Sequence, residues 1–118
     1  MGKRALPAQS QLLSDGYTTR LITSHSFAEL LNSLNECGAN QVLVESGCIL
    51  GTALMNEGLI DEIVLYQSPS IIGAGSRAIG ELGISTLSDA LPWRFASLEM
   101  IGRDLKTVVT RVDEMVGA

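Results

Sequence analysis

Short apolar runs alternate with helical patterns over residues 20–68, and this alternation constrains the fold more than any other feature of the sequence. The runs at 21–23, 41–45 and 63–66 have the length of strands, and the stretches between them have helical spacing. A helical crossover joins neighbouring strands in the parallel, right-handed sense. The pattern therefore predicts an α/β protein with a mostly parallel sheet and helices on its faces.

Sequence signals bound the first predicted helix at both ends. Ser26 is a candidate N-cap, and Glu29 follows three residues later, as in a capping box. Gly38 supplies the stop, because glycine accepts the left-handed conformation that follows a helix end. Between these signals an apolar stripe recurs with i, i+3, i+4, i+7 spacing: Phe27, Leu30, Leu31 and Leu34. Such a stripe is typical of a helix face that packs on a core.

The stretch from residue 42 to residue 50 predicts a strand, a small-residue turn and a second helix that ends at Gly58. The first backbone N–H groups of a helix have no intrahelical partner, and with the helix dipole they can bind an anion such as a phosphate. Small residues, here Ser46 and Gly47, would let a phosphate approach the backbone. On spacing alone, a turn that needs glycine for its geometry is the favoured interpretation, because lone glycine turns are common.

Two further features of the sequence can be interpreted as ligand contacts. Glu45 would end the strand at 41–45, where a carboxylate needs a hydrogen-bond partner. That partner could be a ligand amine or hydroxyl, or backbone amides nearby. The glycine-rich stretch 73–77 carries Arg77 and could hold a phosphate. It lacks the lysine and the strand-to-helix setting of a P-loop, so a surface loop is the simpler interpretation.

The remaining segments complete a single domain of 118 residues. Residues 1–19 are predicted to be irregular, 20–68 to form the βαβαβ core and 69–92 to be loop-rich. Alternation over 93–113 predicts a terminal antiparallel hairpin that extends the sheet.

Composition and charge argue against several classes of partner. A net charge of −5 disfavours nucleic acid, whose phosphates attract basic surfaces. Two cysteines, Cys37 and Cys48, and the single His25 are too few for a zinc site, so no metal is expected. We interpret the cysteines as reduced thiols of a cytoplasmic protein and expect no disulfide between them. No stretch has the pattern of a signal peptide or the length of a membrane span, so no membrane partner is expected.

Four stretches resemble motifs of the reductase domain of riboflavin biosynthesis. Residues 40–47 resemble "N-x-V-x-V-E-G-G", with Ser46 where the family usually has glycine, and residues 54–62 resemble "L-x-x-G-L-V-D-E". Residues 69–73 resemble "A-P-x-L-L-G", and residues 4–13 resemble "R-x-x-P-x-x-S-x-L-L". The chain is thus similar to the carboxy-terminal part of that domain. The deaminase motifs H-x-E and P-C-x-x-C do not occur in it.

The resemblance implies a three-layer α/β/α, dihydrofolate-reductase-like fold, incomplete at its N-terminus, in a protein that works as a homodimer. It implies NADPH-dependent reduction of the ribosyl group of 5-amino-6-(5-phosphoribosylamino)uracil to ribityl. Glu45 would then face this phosphorylated pyrimidine substrate. The NADPH phosphates would lie on the turn made by five residues: Ser46, Gly47, Cys48, Ile49 and Leu50.

The resemblance also implies that the chain lacks the early strands of the domain. Hydride transfer needs donor and acceptor carbons held together, and part of a pocket cannot hold them. We therefore expect little activity from the chain alone and assign no catalytic residue within it. The alternative hypothesis is a non-catalytic oligomerisation or binding module.

Overall fold

The structure, a computed structural model, describes residues 5, 7–11, 14 and 25–112. Its elements are helix α1 (Phe27–Glu36), helix α2 (Cys48–Asn56), strand β1 (Glu62–Gln67), a 3-10 turn at Leu87–Asp89, and strands β2 (Trp93–Ile101) and β3 (Asp104–Arg111). They fall into two compact units, Met1–Leu43 and Val44–Ala118, so α1 lies in the first unit and all the other elements lie in the second. The single-domain assignment stays a prediction.

Helix α1 begins and ends at the predicted residues. Ser26 is its N-cap, and the Ser26 hydroxyl accepts a hydrogen bond from the Glu29 backbone N–H at 3.3 Å. Past the helix end Gly38 has a φ of 69°. The Ala39 N–H then donates to the Leu34 carbonyl at 3.1 Å, which is the hydrogen bond of a Schellman ending. None of the apolar stripe on α1 is fully buried, so the structure does not place it in a core.

Residues 41–47 contain no strand in the structure, in contrast to the prediction. Val42, Leu43 and Val44 are exposed, with Leu43 at 81%. A strand is stabilised by hydrogen bonds to a neighbouring strand. In the described part of the chain, no strand pairs with residues 41–45. The predicted neighbouring strand at 21–23 lies outside the described residues.

Strand β1 occupies the third predicted strand position, but its pairing is antiparallel. Its neighbour is β3, with Val64 opposite Val108, and β3 also pairs antiparallel with β2. The order of the described sheet is therefore β1-β3-β2, and the predicted parallel pairing is absent from it. The other edge of β1 has no strand partner in the described residues, so the predicted parallel pairing stays a prediction.

Strands β2 and β3 form the antiparallel hairpin that the alternation predicts, turning at Gly102, whose φ is 62°. The register shifts between Phe95 and Ser97, so Ala96 is an extra residue in β2. Because directly paired residues point to the same side, one face of the sheet is mostly apolar. It carries Ile63, Leu65, Trp93, Phe95, Leu98, Met100, Leu105, Thr107 and Val109.

Burial in the described residues is concentrated on α2 and on the central strand. Leu54 and Met55 of α2 are the buried apolar side chains, and Thr107 of β3 is the buried polar one. Phe95, Leu98 and Met100 on the apolar face of edge strand β2 remain exposed. Neither helix of the described part has the length and apolar character that crossing a bilayer requires.

Candidate functional site

The start of α2 is an uncapped helix N-terminus. Gly47 is the N-cap, no side chain among the described residues hydrogen-bonds to the first-turn amides, and the first turn contains no acidic residue. The first backbone hydrogen bond of the helix runs from the Gly51 N–H to the Gly47 carbonyl at 3.1 Å. The N–H groups of Cys48, Ile49 and Leu50 precede that bond and have no acceptor within the helix. They leave a concentration of partial positive charge at the surface, which suits an anion.

Backbone geometry does not require glycine at position 47. Gly47 has φ −75° and ψ 175°, which is extended backbone that any residue adopts. A Cβ placed there would meet no atom within 4 Å. A positive φ or a close approach of other atoms therefore does not explain this glycine, and the role of the turn in phosphate binding stays a prediction.

The other predicted turn residues lie around this opening. Ser46 is exposed, and its hydroxyl lies against the first turn of α2. A Cβ placed on Gly51 would be 3.5 Å from that hydroxyl oxygen. The Ile49 side chain is 89% exposed. Cys48 and Leu50 are half-buried. Ser46, Gly47 and Ile49 thus face solvent, while Cys48 and Leu50 contact the protein.

Glu45 is exposed and precedes the turn by one residue. Its carboxylate does not cap α2, since no side chain does. Within the part of the chain that the structure describes, it has no hydrogen bond or ion pair with another side chain. Of the two roles considered for it, capping of the α2 amides is therefore not observed.

A contact that the sequence did not indicate lies one turn into α2. The Gly80 N–H donates to the Thr52 hydroxyl at 2.7 Å, and that hydroxyl donates to the Cys48 carbonyl at 2.6 Å. The Cys48 sulfur lies 3.8 Å from the same oxygen. The loop after β1 is thereby attached beside the opening. Gly80 was visible in the sequence as one of several loop glycines, but nothing in it pointed to Thr52.

The remaining candidates are at the surface. The stretch 73–77 is an exposed loop in which Gly73 has a φ of 88°. His25 is exposed beside the N-cap of α1. Cys37 and Cys48 are free thiols. Across the described ranges, no three His, Cys, Asp or Glu side chains come together as metal ligands would.

Comparison with known proteins identifies the family. The family model described as the RibD C-terminal domain matches residues 3–107. The riboflavin biosynthesis protein RibD of Mycobacterium tuberculosis (strain H37Rv) is 34% identical over 105 residues, which are 89% of this chain and 30% of that protein. The chain belongs to the RibD C-terminal domain family.

A second relative and a solved structure agree with this assignment. The 5-amino-6-(5-phosphoribosylamino)uracil reductase of Buchnera aphidicola subsp. Acyrthosiphon pisum is 29% identical over 82 residues, covering 69% of this chain and 40% of that protein. The crystal structure of a putative riboflavin biosynthesis protein from Shewanella sp. PV-4 superposes with a TM-score of 0.74 at 22% identity. The match covers 96% of this chain and 58% of that one, and it shows a shared fold. The chain thus spans less than half the length of these curated relatives.

Proposed function

We propose that this chain is part of a reductase that uses NADPH to convert the ribosyl group of 5-amino-6-(5-phosphoribosylamino)uracil to ribityl. The observation that carries the proposal is the uncapped start of α2 with an unforced glycine at its N-cap. Glycine is only a few tenths of a kcal/mol less stabilising there than serine or aspartate, and it leaves the first-turn amides open to an external acceptor. The similar 5-amino-6-(5-phosphoribosylamino)uracil reductase supplies the reaction class.

The residues present fit a dinucleotide phosphate. Ser46 and Gly47 leave the backbone accessible, and the amides of Cys48, Ile49 and Leu50 supply donors without an acceptor in the helix. Bound NADPH would supply the hydride. In this proposal the chain's own residues bind and orient the cofactor phosphates, and Glu45 accepts a hydrogen bond from the pyrimidine substrate.

We propose further that the complete domain has the three-layer, dihydrofolate-reductase-like arrangement, with residues 41–45 pairing as a parallel strand with preceding chain. The exposure of Val42, Leu43 and Val44 supports this, because apolar strand residues are normally covered on both faces of a parallel sheet. Little turnover is then expected from the chain alone. A homodimer and a cytoplasmic location complete the proposal, and the free thiols agree with a reducing compartment.

A titration of the chain with NADPH, followed by nicotinamide fluorescence, tests the cofactor site. Gly47→Val and Gly75→Val form a matched pair, since neither glycine has a positive φ and neither Cβ would meet an atom within 4 Å. We expect Gly47→Val to weaken binding by about tenfold or more, from loss of amide–phosphate hydrogen bonds. Gly75→Val is expected to bind like the unmodified chain.

Two results would contradict the proposal. If Gly75→Val weakens binding and Gly47→Val does not, the phosphates bind at the loop of residues 73–77. If the folded chain does not bind NADPH at all, the non-catalytic module becomes the better interpretation. The exposed apolar side chains of β2 favour this second candidate, and its expected signature is a concentration-dependent oligomer in size-exclusion chromatography.

A further inference from the structure

The segment that links β1 to β2 is long and largely irregular. It runs from residue 68 to residue 92 and contains only the 3-10 turn at Leu87–Asp89. Irregular loops longer than about 12–15 residues inside a domain are uncommon and are usually either functional or linker segments. This one is attached to α2 at Gly80, whose N–H donates to the Thr52 hydroxyl at 2.7 Å.

The Thr52 hydroxyl both donates and accepts a hydrogen bond, and so links the loop to α2. It donates its one proton to the Cys48 carbonyl at 2.6 Å, as threonines within helices commonly do. That donation orients the oxygen so that a lone pair accepts from Gly80. The Thr52 oxygen is partly buried, so loss of either partner costs more than at the surface.

The approach of the loop to α2 depends on the absence of a side chain at position 80. A Cβ on Gly80 would lie 3.1 Å from the Thr52 hydroxyl oxygen and 3.4 Å from the Cys48 sulfur. The first distance is tighter than most Cβ contacts, so a side chain would require the loop or the Thr52 hydroxyl to shift by a few tenths of an ångström. Gly80 is thus fitted to Thr52 and to Cys48, the first residue of α2.

Arg77 lies three residues before Gly80, which is at most about 11 Å of extended chain. Thr52 lies four residues after the first residue of α2, which is about 6 Å along a helix axis. The bond between Thr52 and Gly80 therefore limits how far Arg77 can lie from the uncapped amides. Arg77 is the single basic residue of segment 68–92.

We propose that Thr52 is a positioning residue. Its hydroxyl fixes Gly80 beside the first turn of α2 and so holds Arg77 where its guanidinium contacts a cofactor phosphate. This inference rests on the proposed NADPH site. Thr52 itself touches no cofactor in this scheme and acts through the loop.

Two readouts on the full chain test the inference. The first is the rate of tryptic cleavage after Arg77, followed by mass spectrometry, which reports attachment of the loop whether or not NADPH binds. The second is the NADPH dissociation constant. Thr52→Val removes the hydroxyl and keeps the shape, whereas Thr52→Ser keeps the hydroxyl and serves as the matched control.

We expect Thr52→Val to speed cleavage after Arg77 by about fivefold, the loss of one typical hydrogen bond, and to weaken NADPH binding about threefold or more. Thr52→Ser should restore both. Arg77→Gln should weaken binding by itself, and adding Thr52→Val to it should cause little further loss, because the two residues act through one contact.

Unchanged cleavage and affinity in Thr52→Val would overturn the inference, and so would effects of Thr52→Val and Arg77→Gln that simply add. If the unmodified chain does not bind NADPH, the cofactor site is refuted and the positioning role falls with it. The cleavage rates then show separately whether Thr52 attaches the loop.

Discussion

The two helices of the described structure end alike and begin differently. Each ends in a Schellman motif, with a left-handed glycine at Gly38 or Gly58 and a backbone hydrogen bond that closes the last turn. At its start, α1 has a serine whose side chain accepts from a first-turn amide and an acidic residue in that turn. Helix α2 has a glycine N-cap and neither of these features.

At α1 a side chain accepts from a first-turn amide, whereas at α2 the first-turn amides are left without a side-chain acceptor among the described residues. A glycine N-cap costs a helix only a few tenths of a kcal/mol relative to serine, so α2 gives up little stability at its start. The ends of both helices show that the usual stopping signals are present in both units. The missing cap on α2 is therefore specific to its N-terminus, where the proposal places the cofactor.

The largest expected effect comes from giving α2 a side-chain N-cap, as α1 has. In Gly47→Asp a carboxylate would cap the free amides and repel a phosphate, so NADPH affinity should fall by about 100-fold or more. Stability should rise by up to about 1 kcal/mol through the cap and the lost glycine flexibility. Fluorescence titration and urea denaturation measure the two changes.

The control is Gly47→Ser, which supplies a cap without a charge and should lose less affinity for NADPH. A Gly47→Asp chain that binds NADPH normally would contradict the proposal.

A smaller effect is expected from removing the cap of α1. Ser26→Ala leaves the Glu29 N–H without its side-chain acceptor, which costs about 1 kcal/mol and speeds hydrogen exchange of the α1 amides about fivefold. The exchange of α2 amides and the affinity for NADPH should stay as they are. If Ser26→Ala accelerated hydrogen exchange equally in both helices, the cap would not act locally on α1.

The smallest effect belongs to the end of α2. The Arg111 guanidinium donates to the Gly58 carbonyl at 2.8 Å and lies 3.5 Å from the Asp61 carboxylate, and Asp61 is largely exposed. Exposed ion pairs contribute little, so Asp61→Asn should change the unfolding free energy by about 0.5 kcal/mol or less. The neighbouring Glu62→Gln is the control in urea denaturation. A loss above about 1 kcal/mol would show that the helix end depends on this pair more than its exposure suggests.

Local signals predicted local structure well. Ser26, Glu29 and Gly38 bound α1 because capping is decided within a few residues, and the same holds for Gly58 after α2. The hairpin of β2 and β3 was likewise visible in the alternation of its side chains. The assignment of residues 46–50 and Glu45 as cofactor and substrate contacts stays a prediction.

Long-range pairing could not be inferred in the same way. The apolar run at 41–45 suggests a strand, yet a strand also requires a partner, and the sequence does not say which segment supplies it. The sequence does not indicate the pairing of β1 with β3 either, because the two strands lie far apart along the chain. The contact of Thr52 with Gly80 joins residues 28 apart through one hydroxyl, which leaves no periodic trace.

The extra residue in β2 makes the strand change phase midway. Trp93 and Phe95 share a face at a spacing of two, and Leu98 rejoins them after a step of three because Ala96 is inserted. Removing Ala96 without any other change would close the bulge, because Phe95, Ser97 and Leu98 would then pair one to one with Val109, Val108 and Thr107. Leu98 would keep its partner and its side of the sheet. A single deletion at the bulge would thus leave every β2 side chain on its present face, whereas a single deletion nearer either end of β2 would move the residues beyond it to the other face.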